Sequence, residues 1–345
     1  MIQTFSSTIR RKEMDAVLTC MVDEKIGPGD FAAKLIAQAK EFLGVDGAAA
    51  FRSPALALWY ALSALDVPKG SGVAVSALAP AWHYAALIAD GYTPVLLDIM
   101  PETAQVLPDT IEEAVKGGAR AILHYEPLGY LCDMEPILAP GVPVIEDISQ
   151  SAGSAFGQED AMTKAGQFGV FAILGLEERD AVTAGGGAIL AAHKRRDALA
   201  LKKRLEGALA IDLLPDINAA LAYIQLKEFA KNQERRKIIL ETYTDALMRG
   251  SRHKMISTAD GCDRAAFCFA VALESGFKDV QQYAAKKGIA VEQAFAGSVV
   301  DVYPEASESC VNARSLFLRT AVFPFYPLLT NVQAKTVCKT LSTLP

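Results

Sequence analysis

Apolar residues recur at helical spacing at Met14, Val17, Leu18 and Met21 and predict a helix over 10–26. Gly27-Pro28-Gly29 stops it, and a second helix runs through Phe31, Leu35 and Phe42. From there to about residue 206, short apolar runs alternate with amphipathic stretches. Strands are expected at 72–78, 94–98, 121–124, 142–146, 169–174 and 188–191, with helices at 81–91 and 110–117 between the earlier ones. Such alternation is the pattern of crossover units around a largely parallel sheet. The near-continuous apolar character of the strands places that sheet between two covered faces. A long helix follows over 218–249, carrying the charged run from Lys231 to Lys237, which reads as a solvated face. After Gly250 comes a smaller unit: a strand at 267–273, a helix at 278–287, a strand at 315–320 and a closing helix from Asn331. The expected class is α/β, with a large three-layer domain over 1–240 and a small α+β domain over 241–345.

Composition narrows the functions. The formal charge is −6 and the pI about 5.4, and no basic block interleaves with aromatics, so nucleic acid is not an expected partner. Arg10-Arg11-Lys12 is too short to count and belongs on the solvated face of the first helix. Six scattered cysteines form no CxxC and have no histidine at metal-ligand spacing, which fits small apolar residues in a reducing compartment. No apolar run reaches the ~18 residues needed to cross a bilayer, and the N-terminus lacks the apolar core of a signal peptide. A cytoplasmic protein without a membrane partner is expected.

Six local strings then carry a resemblance. They are Asp66-Val67-Pro68-Lys69-Gly70, the segment Gly91 to Asp98 with Pro94-Val95, the segment Gly129 to Ile137 with Asp133-Met134, Val144 to Gly153 with Glu146-Asp147 and Gln150, Ala219-Ala220-Leu221 through Gln225-Leu226, and Phe323-Pro324-Phe325-Tyr326-Pro327-Leu328-Leu329-Thr330. In this order they resemble the DegT-type (DegT/DnrJ/StrS) aminotransferases, which act on keto sugars attached to nucleotides, and the match covers nearly the whole chain. The resemblance implies the fold type I of pyridoxal-phosphate enzymes, a homodimer, and cofactor sites at the subunit boundary.

Pyridoxal-phosphate chemistry needs a carboxylate on the ring nitrogen, an amine for the Schiff base, a phosphate cup and a stacking aromatic ring. The resemblance puts the carboxylate at Asp147, with Gln150 at the family spacing. Read from the residues alone, Asp147 equally suits a turn cap. The family's lysine, counted from the Phe171-Ala172-Ile173 strand or from the Gly185-Gly186-Gly187 turn, falls on Glu177, Glu178 or Arg179. No lysine lies between Lys164 and Lys194, and no histidine lies between His124 and His193 to serve as in the family's dehydratase branch. A carboxylate forms no imine, and a guanidinium stays protonated. The phosphate cup retains Ser53 but reads Pro54-Ala55 after it, with one amide donor and one hydroxyl fewer, and Ala172 replaces a serine. The partner-subunit asparagine falls on Ile211 and the stacking aromatic on Pro80, which leaves Trp82 to core packing. The expectation is therefore a degraded homologue with no covalent cofactor, in which Asp147, Gln150 and Ser53 are inherited positions. It would bind a sugar nucleotide or another small molecule, or accompany an active homologue. An active aminotransferase carrying pyridoxal phosphate is the competing expectation.

Overall fold

Seven strands form the central sheet of the computed structural model, which describes residues 1–158, 161–250 and 252–345. They are β1 (Gly47–Phe51), β2 (Gly72–Ser76), β3 (Thr93–Leu97), β4 (Ala119–Tyr125), β5 (Val144–Asp147), β6 (Phe171–Gly175) and β7 (Ala188–Ala192). Their spatial order is β1-β7-β6-β5-β4-β2-β3. β3, β2, β4, β5 and β6 are parallel, and β7 runs against both its neighbours. β1 therefore points the same way as β5 and β6, and the chain leaves all three at one edge of the sheet.

Alternate residues of β6 show why the sheet is covered on both sides. Ala172 and Leu174 join a buried cluster with Leu35, Leu43, Ala219 and Leu226, from α2 (Asp30–Leu43) and a later helix at Asp216–Lys227. Phe171 and Ile173 join another with Leu58, Leu62 and Leu201, from α3 (Pro54–Ala64) and a helix at Arg195–Leu205. The result is a three-layer α/β fold with a mainly parallel sheet. Each fully buried leucine contributes about 1.5–3 kcal/mol by leaving water.

The C-terminal part builds a four-stranded antiparallel sheet in the order Lys254–Met255, Phe269–Ala272, Thr320–Phe323, Glu292–Gln293. Val271, Ala321 and Phe323 pack there with Leu341 and with Tyr243 of the helix Phe229–Gly250. Among the described residues, no helix is long and apolar enough to cross a membrane.

Four expectations shift. The helix expected over 218–249 is two, Asp216–Lys227 and Phe229–Gly250, broken at Glu228. The break turns Phe229 into the core, edge-on to Phe42 with ring centroids 4.9 Å apart. It also sets Phe229 against Gly153, where an added Cβ would lie 2.7 Å from the ring. The strand expected at 315–320 is a helix, Val311–Arg319, and the strand begins at Thr320. Ala313 and Leu316 give it a buried helical face, and its first amides donate to the Asp98 carboxylate at 3.0 and 2.8 Å. This cap comes from a residue more than 200 positions away. β1 is strand although Gly-Ala-Ala-Ala carries no strand propensity. Finally, the charged run is not all solvated, since Asn232, Gln233 and Arg236 are buried.

Candidate functional site

Asp147 ends β5, and its carboxylate is fully buried. Oδ1 accepts hydrogen bonds from the Ser149 amide at 3.0 Å and from the Ser149 hydroxyl. Oδ2 lies 2.7 Å from Nε2 of His83, which is also fully buried. His83 is the third residue of α4 (Ala81–Ala89), the helix that leaves β2, and Pro80 is that helix's N-cap. The imidazole is wedged edge-on between Trp82 and Tyr125, with centroids 4.2 and 6.0 Å away. Trp82 also packs against the core on that face of the sheet. His83 Nδ1 has no hydrogen-bond partner among the described residues. The Nε2–H therefore points at Asp147, and both carboxylate oxygens are engaged by protein.

The sequence reading passed over His83. A single histidine one turn into an apolar helix has no periodic signature. Its signal was positional: the helix starts beside the carboxyl ends of the strands, where an Asp also ends β5.

Gln150 directly follows Ser149, and its side-chain oxygen accepts from the Leu128 amide at 2.8 Å. Leu128 sits at φ 60°, in the left-handed region, beside Gly129 at φ 87°. A Cβ on Gly129 would lie 2.5 Å from the Ala265 carbonyl, so the loop after β4 is clamped between Gln150 and the C-terminal half.

Ser53 caps α3, its hydroxyl oxygen accepting from the Leu56 amide at 3.2 Å, with Pro54 in the first turn. The hydroxyl hydrogen remains available to a ligand. Ser53 follows β1 and Asp147 ends β5, so both lie at the same edge of the sheet.

Glu177, Glu178 and Arg179 follow β6 at that edge and are exposed. Glu177 folds its carboxylate back towards the glycine turn, accepting from the Gly187 amide at 3.4 Å. Arg179 pairs with Glu292 of the C-terminal sheet and lies 5.7 Å from the Phe5 ring centroid. Asp180 accepts from the Glu177 amide at 2.8 Å. Burial, aided by the Asp147 and Glu177 charges, pushes its carboxyl up to about 8 against that hydrogen bond.

Behind the floor lie two more buried carboxylates. Glu146 accepts from the amides of Gly166, Phe168 and Gly169 at 2.8, 2.9 and 2.6 Å. Glu126 meets the Ser151 hydroxyl, and burial together with the Glu146 charge pushes it well above the usual carboxylate range. His124, also buried, is held down at about 4 by desolvation. Among the described residues no group of His, Cys, Asp and Glu is arranged to hold a metal ion.

A cavity of about 200 Å³ opens between this edge and the C-terminal sheet. Gln150, Asp180, Arg236, Glu292 and Phe323 are among its walls.

A three-layer fold with an Asp closing a central strand is that of the pyridoxal-phosphate transferases. The aminotransferase TlmJ from Streptoalloteichus hindustanus superposes with a TM-score of 0.88, covering 99% of this chain and 98% of that one at 21% identity. The sugar aminotransferase CalS13 from Micromonospora echinospora gives 0.85 over 99% of both chains at 17% identity. These likenesses show the fold. The chain belongs to the DegT/DnrJ/EryC1/StrS aminotransferase family, whose profile matches residues 7–342. GDP-perosamine synthase of Caulobacter vibrioides is 27% identical over 256 residues, 69% of this chain and 67% of its own length. EpsN of Bacillus subtilis is 28% identical over 232 residues, 61% of this chain and 59% of its own length.

Proposed function

We propose that this member of the aminotransferase family does not use pyridoxal phosphate for transamination and instead binds a small molecule, related to nucleotide-sugar metabolism, in the cleft. The observation that carries the reading is the His83–Asp147 pair. In the family's chemistry this carboxylate would face the pyridine nitrogen and keep it protonated. Here the imidazole Nε2 takes that hydrogen bond at 2.7 Å, and Ser149 takes the other oxygen. A pyridine ring would have to expel a side chain that is fully buried.

The other parts of the site point the same way. Between Lys164 and Lys194 there is no amine to form an imine. Glu177, Glu178 and Arg179, which stand where the resemblance puts the lysine, are exposed and are carboxylate or guanidinium groups. Ser53 keeps a hydroxyl, but Pro54 has no amide hydrogen to offer a phosphate. These residues do not fit the cofactor, so no step is derived through it. A cytoplasmic homodimer is part of the same proposal, as is a division into a large domain over 1–240 and a small one over 241–345.

Family membership by itself favours the competing reading, an active nucleotide-sugar aminotransferase. Incubation with excess pyridoxal phosphate, borohydride reduction and intact-mass analysis separates the two. The expected result is the unmodified mass. A stable adduct of the cofactor's mass on a single site would sink the proposal.

A further inference from the structure

Arg235 and Arg236 are adjacent in the helix Phe229–Gly250 and have opposite surroundings. Arg235 donates to the Leu329 carbonyl at 3.0 Å and to Asn331 Oδ1 at 2.9 Å, tying the helix to the C-terminal segment. Arg236 is only 8% exposed, and among the described residues no hydrogen bond or ion pair engages its guanidinium. A buried ion without a counter-ion is strongly disfavoured, so such groups are normally paired or coordinated. Burial lowers this guanidinium to about 10, which still leaves it charged at neutral pH.

Its neighbours do not neutralise it. Cys268, on the same cavity wall, is pushed up to about 12 by burial and is a neutral thiol. Glu292 is matched by Arg179. Asp180, the remaining carboxyl on the wall, accepts from the Glu177 amide and makes no ion pair with Arg236, and burial raises it to about 8. On Arg236's other side is a void of only about 10 Å³, lined also by Thr183, Gln225 and Asn232. Such a space admits one water at most. Arg236 also lines the cavity of about 200 Å³, and its Nε is buried without a hydrogen-bond partner among the described residues.

We infer that this cavity is a binding site for a small organic monocarboxylate, held by Arg236. A planar guanidinium matches a carboxylate in two parallel hydrogen bonds. The wall carries one unmatched positive charge, which suits a monoanion and leaves nothing to neutralise the second charge of a phosphate. Phe267, Phe323 and Phe325 supply an apolar face for the body of the ligand, and the amides of Gln150 and Gln293 supply polar contacts. The volume is below that of ordinary drug-sized pockets, so the ligand is ring-sized or is the acidic end of something larger. An aromatic acid and a uronic-acid sugar share this chemistry. The inference rests on the reading that the cleft serves binding, but its test does not involve the cofactor. A cofactor adduct would overturn that reading, and the titrations below decide this one.

Calorimetric titration of the full-length protein with benzoate and with glucuronate, against benzamide, methyl glucoside and inorganic phosphate, tests it. Saturable binding of one or both acids is expected, with benzoate or glucuronate telling the two sources apart, and no comparable binding of the neutral analogues or of phosphate. R236M should weaken the acid by roughly 10- to 100-fold, as expected for the loss of hydrogen bonds between charged groups. R236K, which keeps the charge without the fork, should lie between. In the absence of ligand R236M should melt at or above the wild-type temperature, because it removes an unpaired buried charge; a purely structural arginine would behave oppositely. A296W, which narrows the cavity without touching Arg236, should also block binding. The inference falls if R236M binds the acids within twofold of wild type, if phosphate is preferred, or if wild type ignores every carboxylate, as it would with a second copy seated over the cavity.

Discussion

Two buried ions sit in one cleft and are treated in opposite ways. On the floor, Asp147 has a protein partner for each oxygen, and the sheet, α4 and the loop after β5 close around it. On the wall, Arg236 is almost as deeply buried and has no partner among the described residues, and open volume lies beside it. A satisfied buried ion is an element of architecture: its pair specifies how two helix and strand ends meet. An unsatisfied one destabilises the isolated protein and is retained where something external completes it. On the proposed reading, the difference separates a part of the cleft that serves as core from a part that serves as a site.

The comparison breaks first at His83. H83A leaves the Asp147 carboxylate buried with one oxygen unpartnered, and loss of a hydrogen bond to a charged group costs about 1.5–3 kcal/mol. Urea denaturation followed by circular dichroism should show a loss of unfolding free energy of that size. A loss below ~1 kcal/mol, within the range of a surface substitution, would mean that the floor is not closed by this pair.

A second test, across pH, sharpens the assignment of Asp180. Its carboxyl is raised to about 8 in the folded chain, mainly by burial, against about 3.9 unfolded. The folded state therefore binds the proton more tightly. The stability it contributes is full below pH ~4 and is lost as pH rises towards 8. Thermal melts of wild type and D180N across that window should diverge, with D180N declining less. Glu126, also raised by burial and by Glu146, titrates in both proteins and cancels in the difference. Superimposable pH profiles would show that Asp180 is ionised and would return a counter-charge to the wall.

The smallest expected effect is none. E177K, E178K and R179K each supply an amine after β6, but none removes His83 from Asp147 or restores the amide missing at Pro54. All three should remain without cofactor absorbance and without transamination of any amino donor. Turnover by a single-lysine variant would show that the floor opens more readily than its burial indicates.

Much of this arrangement was legible in the residues. The apolar runs located the strands of the parallel sheet, and the strings around Asp147 and Phe323 identified the family. What escaped depends on long-range pairing. The helix at Val311–Arg319 is capped by Asp98, and α2 by Asp216, whose carboxylate accepts from Gly29, Phe31 and Ala32, and neither cap is local in sequence. The run from Lys231 to Lys237 looked uniformly solvated because composition does not reveal that a helix faces two ways. Arg235 meets the C-terminal segment while Arg236 enters the cleft. His83 was hidden for the same reason, since its partner is 64 residues away.

The floor also has an evolutionary consequence. On the proposed reading, the lineage cannot regain the ancestral chemistry one substitution at a time. A lysine acquired first meets an occupied floor and confers nothing for selection to act upon. Loss of His83 first exposes the chain to a deep loss of stability before any catalytic benefit exists. Each single step is neutral or harmful, and the intermediate combinations lie in a fitness valley. The contact between His83 and Asp147 then acts as a ratchet: once formed, it keeps descendants of this chain exploring binding functions around the open wall.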